Sequence, residues 1–355
     1  MAETPVMEAP EQRDKFDRLR PVKLGEVRRS FSEETYRRSA VKTFGVLAID
    51  VAVYALFVAG ALLAPHPLLQ LASGVLAGVA VASLFVWAHD AAHGALFRSE
   101  GVEEVFGTLA MLPSFNLYRL WVYGHNKVHH GYTSYSPIDW IWKPDTRAEY
   151  AARSSFAKLV YRVERSLPGC ALHYILRVWW PGMITFRPGA EVRKRYHFTR
   201  SKIATATFAV VMITLSALVA GWVGVLAAVV IPWVVFNYHI ALFVYLHHTH
   251  PTLPFFDDRK EWSATIGQIG CSTVIRGSRF FEWVSHYILV HTPHHVDARI
   301  PFYGLRRGWS ELQPTYGQDV LSYRFRWRTV AGIFRQCKVH DFDTHTWYRF
   351  RDLQS

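Results

Sequence analysis

Residues 43–93 read TFGVLAIDVAVYALFVAGALLA, then PHP, then LLQLASGVLAGVAVASLFVWA, then HDAAH. The two long blocks, Thr43 to Ala64 and Leu68 to about Ala88, each have the roughly 17–25 apolar residues that cross a hydrocarbon core. Pro65-His66-Pro67 between them is breaker-rich and short enough to reverse the chain. The last block places His89 and His93 four residues apart, on one face of a helix that continues past the membrane edge. A membrane hairpin ending in a pair of metal-ligating side chains is therefore expected.

The pattern repeats further on. Ile203 to Ala220 and Val225 to about Leu246 are again apolar and of spanning length, separated by Gly221-Trp222-Val223-Gly224. None of the 40 Lys and Arg lies between Thr43 and Phe97 or between Ile203 and Asp258. The predicted fold is an all-α integral membrane protein with four transmembrane helices, paired as two hairpins, under a helical cap. Its parts are an N-terminal segment 1–42, a first hairpin 43–97, an interfacial region 98–202, a second hairpin 203–248 and a C-terminal region 249–355. The apolar stretch Val102 to Phe115 is too short to span and reads as re-entrant or interfacial.

Basic residues number 10 before Thr43, 16 from Arg98 to Lys202 and 14 after Asp258. The hairpin tips hold none, so the positive-inside rule places both termini and the cap in the cytoplasm. The net charge of +12 follows from this asymmetry and from contact with anionic lipid, with no nucleic-acid module to explain instead. The charged first 40 residues do not read as a cleavable signal. Cys170, Cys271 and Cys337 are scattered and odd in number, which suggests a reducing compartment and no disulfide framework.

Eight histidines fall in three clusters: His89 and His93; His125, His129 and His130; His291, His294 and His295. Imidazole suits iron, copper, zinc or nickel, and eight exceed what one metal needs, so two metals side by side are expected. Pro293 inside the third cluster fits the first turn of a helix. One of His247, His248 and His250 is a further ligand, His248 by preference; capping of the helix end is the alternative. His286 is a ligand or a partner to one. His239 reads as a hydrogen-bonded packing residue, and His66, His173, His197, His340 and His345 as surface or loop residues. Asp90, Asp139 and Asp297 either orient a ligand through its distal ring N–H or cap helices and pair ions. Asp50, inside the first span, needs a partner that spacing does not name.

The three boxes around two hairpins resemble the membrane fatty acid desaturase family over about Leu24 to Phe350. Tyr245-Leu246-His247-His248-Thr249-His250-Pro251-Thr252-Leu253-Pro254 is similar to the segment after the last span in omega-6 (delta-12) desaturases, as is His291-Thr292-Pro293-His294-His295 with Ile300-Pro301-Phe302-Tyr303. Asp139-Trp140 and Trp142-Lys143-Pro144 resemble the stretch after the second box in plastid and cyanobacterial members. The first box departs from plant relatives in running on as Gly94-Ala95-Leu96-Phe97.

The resemblance implies a non-haem centre of two iron ions, O2, and an oleoyl or other acyl chain, as lipid or thioester, held between helices. It assigns the eight box histidines and His248 as ligands. A saturated methylene offers acid–base side chains nothing to work on, so its oxidation is cofactor chemistry. With no haem-binding His-Pro-Gly-Gly motif and no iron–sulfur cysteine set, the electrons come from a separate ferredoxin- or cytochrome-type carrier. Arg324-Phe325-Arg326-Trp327-Arg328 either docks such a carrier or lies against anionic lipid; Trp179-Trp180 and Arg193-Lys194-Arg195 read as interfacial. Acyl hydroxylases and acetylenases share the boxes and stay open as alternatives. A metal transporter is disfavoured because the histidines gather at the membrane edge and not at the midplane. A regulatory protein with a defunct site is disfavoured by the complete set of box histidines.

Overall fold

A computed structural model describes residues 9–353; the first eight residues of the expected N-terminal segment and the last two of the C-terminal region lie outside it. The fold is mostly helical and, among the described residues, has three helical stretches long and apolar enough to cross a membrane. The first long helix runs Ala40–Leu63 and is capped by Ser39, whose hydroxyl accepts from Lys42 N. The second runs Pro67–Ala92, with Pro67 at its first position and the His66 ring accepting from Leu68 N. The third apolar stretch, Phe198–His248, is 51 residues long but not one rod. Ala220 (φ −135°, ψ 16°) and Gly221 (φ 62°, ψ −150°) leave helical geometry. Beyond them the chain folds back, so that a Cβ on Gly224 would sit 2.6 Å from the Ser216 carbonyl oxygen.

The second long helix is the hub. It packs on the first, on the Ile231–His248 portion of the third stretch and on the Glu100–Met111 helix. Close approach uses glycine: a Cβ on Gly74 would lie 2.2 Å from the Ala227 carbonyl oxygen, and one on Gly78 2.6 Å from Val235 Cβ. The outer helices carry apolar side chains outward, among them Leu56, Leu63, Leu218 and Trp222, each at least 66% exposed. Such continuous apolar surface needs lipid around it.

The part of the chain beyond His248 includes four short strands, so the all-α expectation holds as a mostly helical fold. Thr273–Arg276 pairs in parallel with Leu321–Arg324, Thr273 opposite Leu321 and Arg276 opposite Arg324. Val339–Asp341 pairs antiparallel with Thr346–Tyr348. Strands this short carry no legible period-2 signal. Arg324 thus sits at the end of a strand, with Phe325 N donating to the Arg276 carbonyl. His173 and His340 are buried, against the surface reading; His173 stacks on Trp142 with ring centres 3.7 Å apart. The three cysteines are free and buried.

Candidate metal centre

Each histidine box is presented by a different local device. His89 lies in the last turn of the second long helix, and His93 is its C-cap residue. The second box lies on a widened π turn, Val122–His129, that passes into a short helix at His130. A π turn has more residues per turn than an α-helix, so it brings positions four and five apart onto one face, which suits His125, His129 and His130. The third box opens the His291–Val296 helix, with Pro293 in its first turn as expected. His248 ends the Ile231–His248 helix.

These nine histidines converge in two groups. His89, His93, His125, His130 and His294 offer ring nitrogens within 4.8 Å of one another; His129, His248, His291 and His295 do the same. The groups abut, with His130 and His295 stacked at 4.3 Å.

Distal hydrogen bonds fix which nitrogen faces inward. His89 Nδ1 lies 3.1 Å from Asp90 Oδ1, and His129 Nδ1 lies 3.0 Å from Asp139 Oδ2. His248 Nδ1 donates to the Cys271 carbonyl oxygen at 3.0 Å, and His295 Nδ1 to Gln268 Oε1 at 2.6 Å. Each acceptor requires a proton on Nδ1, leaving Nε2 as a bare lone pair. Yet His129 Nε2 and His248 Nε2 face each other at 3.1 Å. Two lone pairs in that position repel unless a cation lies beside both. Nε2–Nε2 separations of 2.9 Å (His291 and His295), 3.0 Å (His130 and His294) and 3.2 Å (His125 and His130) are equally short. Adjacent ligands on bonds of about 2.1 Å at right angles are about 3 Å apart, so the donor sets fit metal ions.

Burial holds the imidazoles of His125, His130, His291, His294 and His295 well below the usual histidine range, and neighbouring rings add to it. They are neutral, as nitrogen ligands must be.

Other expected partners go elsewhere. His286 Nε2 binds Asp50 Oδ2 at 2.8 Å, and the same oxygen accepts from Trp87 Nε1 at 2.7 Å. Asp50 thus ties the first long helix to the second and to the turn that carries His286, and His286 is not part of either histidine group. Asp297 pairs with Arg299 (2.6 Å) and accepts from Tyr36 (3.1 Å); it lines the cleft at His93, His130 and His295, with its hydrogen bonds going to these partners. Asp90 does double duty, since its Oδ2 accepts from Phe302 N at 2.6 Å. His239 Nδ1 donates to the Val235 carbonyl oxygen, 2.9 Å away, as a packing residue would. Sequence reasoning missed Gln268, which also donates to the His130 carbonyl oxygen; an isolated glutamine in Ile-Gly-Gln-Ile-Gly has no spacing signal. It left His247 undecided; that ring stacks on His291 at 3.7 Å.

A cavity of about 250 Å³ lies between the second long helix and Ile231–His248, walled by Val79, Phe85, Phe236, Ile240 and Phe243 and closed at one end by His89, His125, His129 and His291. A polar cleft of about 320 Å³ reaches the opposite side of the centre at His93, His130 and His295.

The fatty acid desaturase family model matches residues 65–327. The chain belongs to the fatty acid desaturase family. It is 29% identical to the chloroplastic omega-6 fatty acid desaturase of Spinacia oleracea, over 91% of this chain and 70% of that one. It is 30% identical to the same enzyme of Glycine max, over 90% and 74%. The sn-1 oleoyl-lipid 12-desaturase of a Picosynechococcus species is 27% identical over 94% of both chains. The protein is accordingly an oxidoreductase of unsaturated-lipid synthesis and a membrane protein, and its histidine clusters suggest a metal centre.

Proposed function

We propose that the chain is an acyl-lipid desaturase that uses two iron ions and O2 to place a double bond at the delta-12 (omega-6) position of an oleoyl chain. The observation that carries this is the apolar cavity ending on both histidine groups at once. An acyl chain lying in it brings methylenes, with no polar handle, to the one part of the cavity that holds ligand atoms.

His89, His93, His125, His130 and His294 would hold one iron, and His129, His248, His291 and His295 the other. Bound there, the iron pair supplies with O2 the oxidising power that no acid–base side chain can bring to an unactivated methylene. The chain's residues do the rest. Asp90, Asp139, Gln268 and the Cys271 carbonyl hold ring orientation. Phe85, Phe236, Ile240 and Phe243 align the substrate and exclude water. Overall one CH2–CH2 unit becomes CH=CH, while O2 takes up the two substrate hydrogens, two electrons and two protons and leaves as two waters. The electrons come from a ferredoxin- or cytochrome-type carrier, and the polar cleft at His93, His130 and His295 supports their arrival from the aqueous side.

The break at Ala220 and Gly221 supports two crossings within Phe198–His248. A continuous helix of 51 residues would be about 76 Å long, against a core of about 30 Å. With the first hairpin this makes four crossings, and the basic residues at one end put both termini and the boxes in the cytoplasm.

Expression in cells rich in monounsaturated lipid, with a compatible electron donor, followed by gas chromatography–mass spectrometry tests the reading. A diunsaturated C18 acid that disappears in the His294→Ala, His295→Ala double variant supports it. A hydroxy or acetylenic product would change the outcome class, and no new acid from an iron-loaded protein would exclude oleoyl substrates.

A further inference from the structure

Two cavities that share no lining residue with the acyl cavity meet at one residue. A cleft of about 950 Å³ opens where the third apolar stretch begins, lined by Arg119, Arg187, Arg193, Arg200 and Lys202 with Glu104 as its single carboxylate. Glu104 is taken by Arg119, whose Nε lies 2.8 Å away. Among the described residues the other four cations have no carboxylate within ion-pair reach. The helix beginning at Phe198 has no side-chain cap, so its first-turn N–H groups add to the positive potential. Beside the cleft runs an apolar groove of about 470 Å³, whose walls include Trp179, Ala206, Ala209, Ile213, Val229 and Trp233. Lys202 lines both. Neither shares a residue with the acyl cavity.

We propose that cleft and groove together bind one anionic glycerophospholipid, its phosphate among Arg193, Arg200 and Lys202 and one acyl chain along the groove. A soluble anion accounts for the cations but leaves the groove empty. A neutral hydrocarbon fills the groove but leaves the cations unmatched. An acidic protein surface could face the cleft, but it cannot reach down to Ile213. From Lys202 to Ile213 the helix descends roughly 16 Å, about half a hydrocarbon core. Only a molecule with an anionic head and an apolar tail matches both ends. Arg193, part of the Arg193-Lys194-Arg195 run that sequence alone assigns to general lipid contact, thereby contributes to a defined site. The proposal rests on the protein being a membrane protein and not on which bond it oxidises.

Native mass spectrometry of the full chain in detergent tests this without requiring turnover. The probes are phosphatidylglycerol, phosphatidylcholine of the same acyl chains, and inorganic phosphate. Wild type is expected to prefer phosphatidylglycerol. The Arg193→Gln, Arg200→Gln, Lys202→Gln variant, all exposed positions, should lose roughly tenfold or more of that affinity with phosphatidylcholine unchanged. Ala209→Trp should weaken both lipids and leave inorganic phosphate unaffected; Ala206→Leu serves as a milder groove-filling change if the tryptophan does not fold. Unchanged metal content and melting temperature verify the fold of each variant. Equal binding of the two phospholipids, or full phosphatidylglycerol binding by either class of variant, overturns the proposal. So does an acidic carrier protein that binds at the cleft while phosphatidylglycerol does not.

Discussion

The Asp139 carboxylate lies 3.0 Å from Nδ1 of His129, and through that ring it fixes the nitrogen that faces His248. Asp139 also accepts from Ser134 N and Ile141 N, so its own position is set by the turn that carries it. Asp139→Ala removes the acceptor that selects the His129 tautomer. Metal affinity should fall roughly 10- to 100-fold, read as metal retained against a chelator series, while Asp139→Asn keeps one acceptor and falls between. Wild-type retention in Asp139→Ala would remove the carboxylate from the centre.

Gln268 does the same for His295 from a segment without any recognisable motif. Gln268→Leu leaves His295 Nδ1 without its acceptor, as well as the His130 carbonyl without its donor. Activity should drop with metal content. Gln268→Glu restores the acceptor but not the donor and should recover part of the retention. Identical behaviour of the two variants would argue that Gln268 only packs.

How much of this was legible in the chain follows from the length of each signal. Membrane spans and box histidines are written over many residues at fixed spacing, and all nine expected ligands come together. Of His247, His248 and His250 the sequence favours His248; in the structure His248 joins the second histidine group with its Nδ1 on the Cys271 carbonyl, whereas His250 Nδ1 turns to Thr252 Oγ1 at 2.8 Å. The partner of Asp50 is 236 positions away, and no local pattern encodes such a contact. Asp297 and Asp139 look alike in sequence, each soon after a box. What separates them is Arg299, which claims Asp297 first. The short strands escaped because three or four residues pair only after the helices have brought them together.

Glu103 gives a pH dependence whose sign can be worked out. Its Oε1 accepts from Leu96 N (2.8 Å) and Phe97 N (2.6 Å), just after the first box, and Oε2 is buried without a partner. Burial pushes its carboxyl up from 4.5 to about 7. The folded state thus prefers the protonated acid, so this contribution to stability is full below about pH 4.5 and is lost as pH rises through about 7. Glu103→Gln keeps the Oε1 acceptor and cannot ionise. Its melting temperature should overtake wild type above neutral pH, with no advantage at pH 5. Parallel curves across that range would contradict the assignment.

Ala82 lines the acyl cavity on the face of the second long helix. Ala82→Phe shortens the space available to a chain. Conversion of C18 chains should fall relative to C16 chains in lipid profiles, with metal content unchanged. An unaltered chain-length profile would place the substrate elsewhere.

Gly221 holds φ 62° and ψ −150° at the reversal of the third apolar stretch, a region almost closed to residues with a Cβ. Gly221→Ala should cost about 1–3 kcal/mol, seen as lower thermal stability in detergent, whereas Gly182→Ala, which has open space around it and no such backbone, should cost far less.

The most direct test of the two-group centre is the iron content of active protein, with Mössbauer spectra of chain loaded with enriched iron. Two irons per chain are expected in wild type. Removing His248 and His291 together should leave one, held by the group that contains His125 and His130, with activity abolished. Full activity from a chain holding a single iron, or two irons retained after that double substitution, would contradict it.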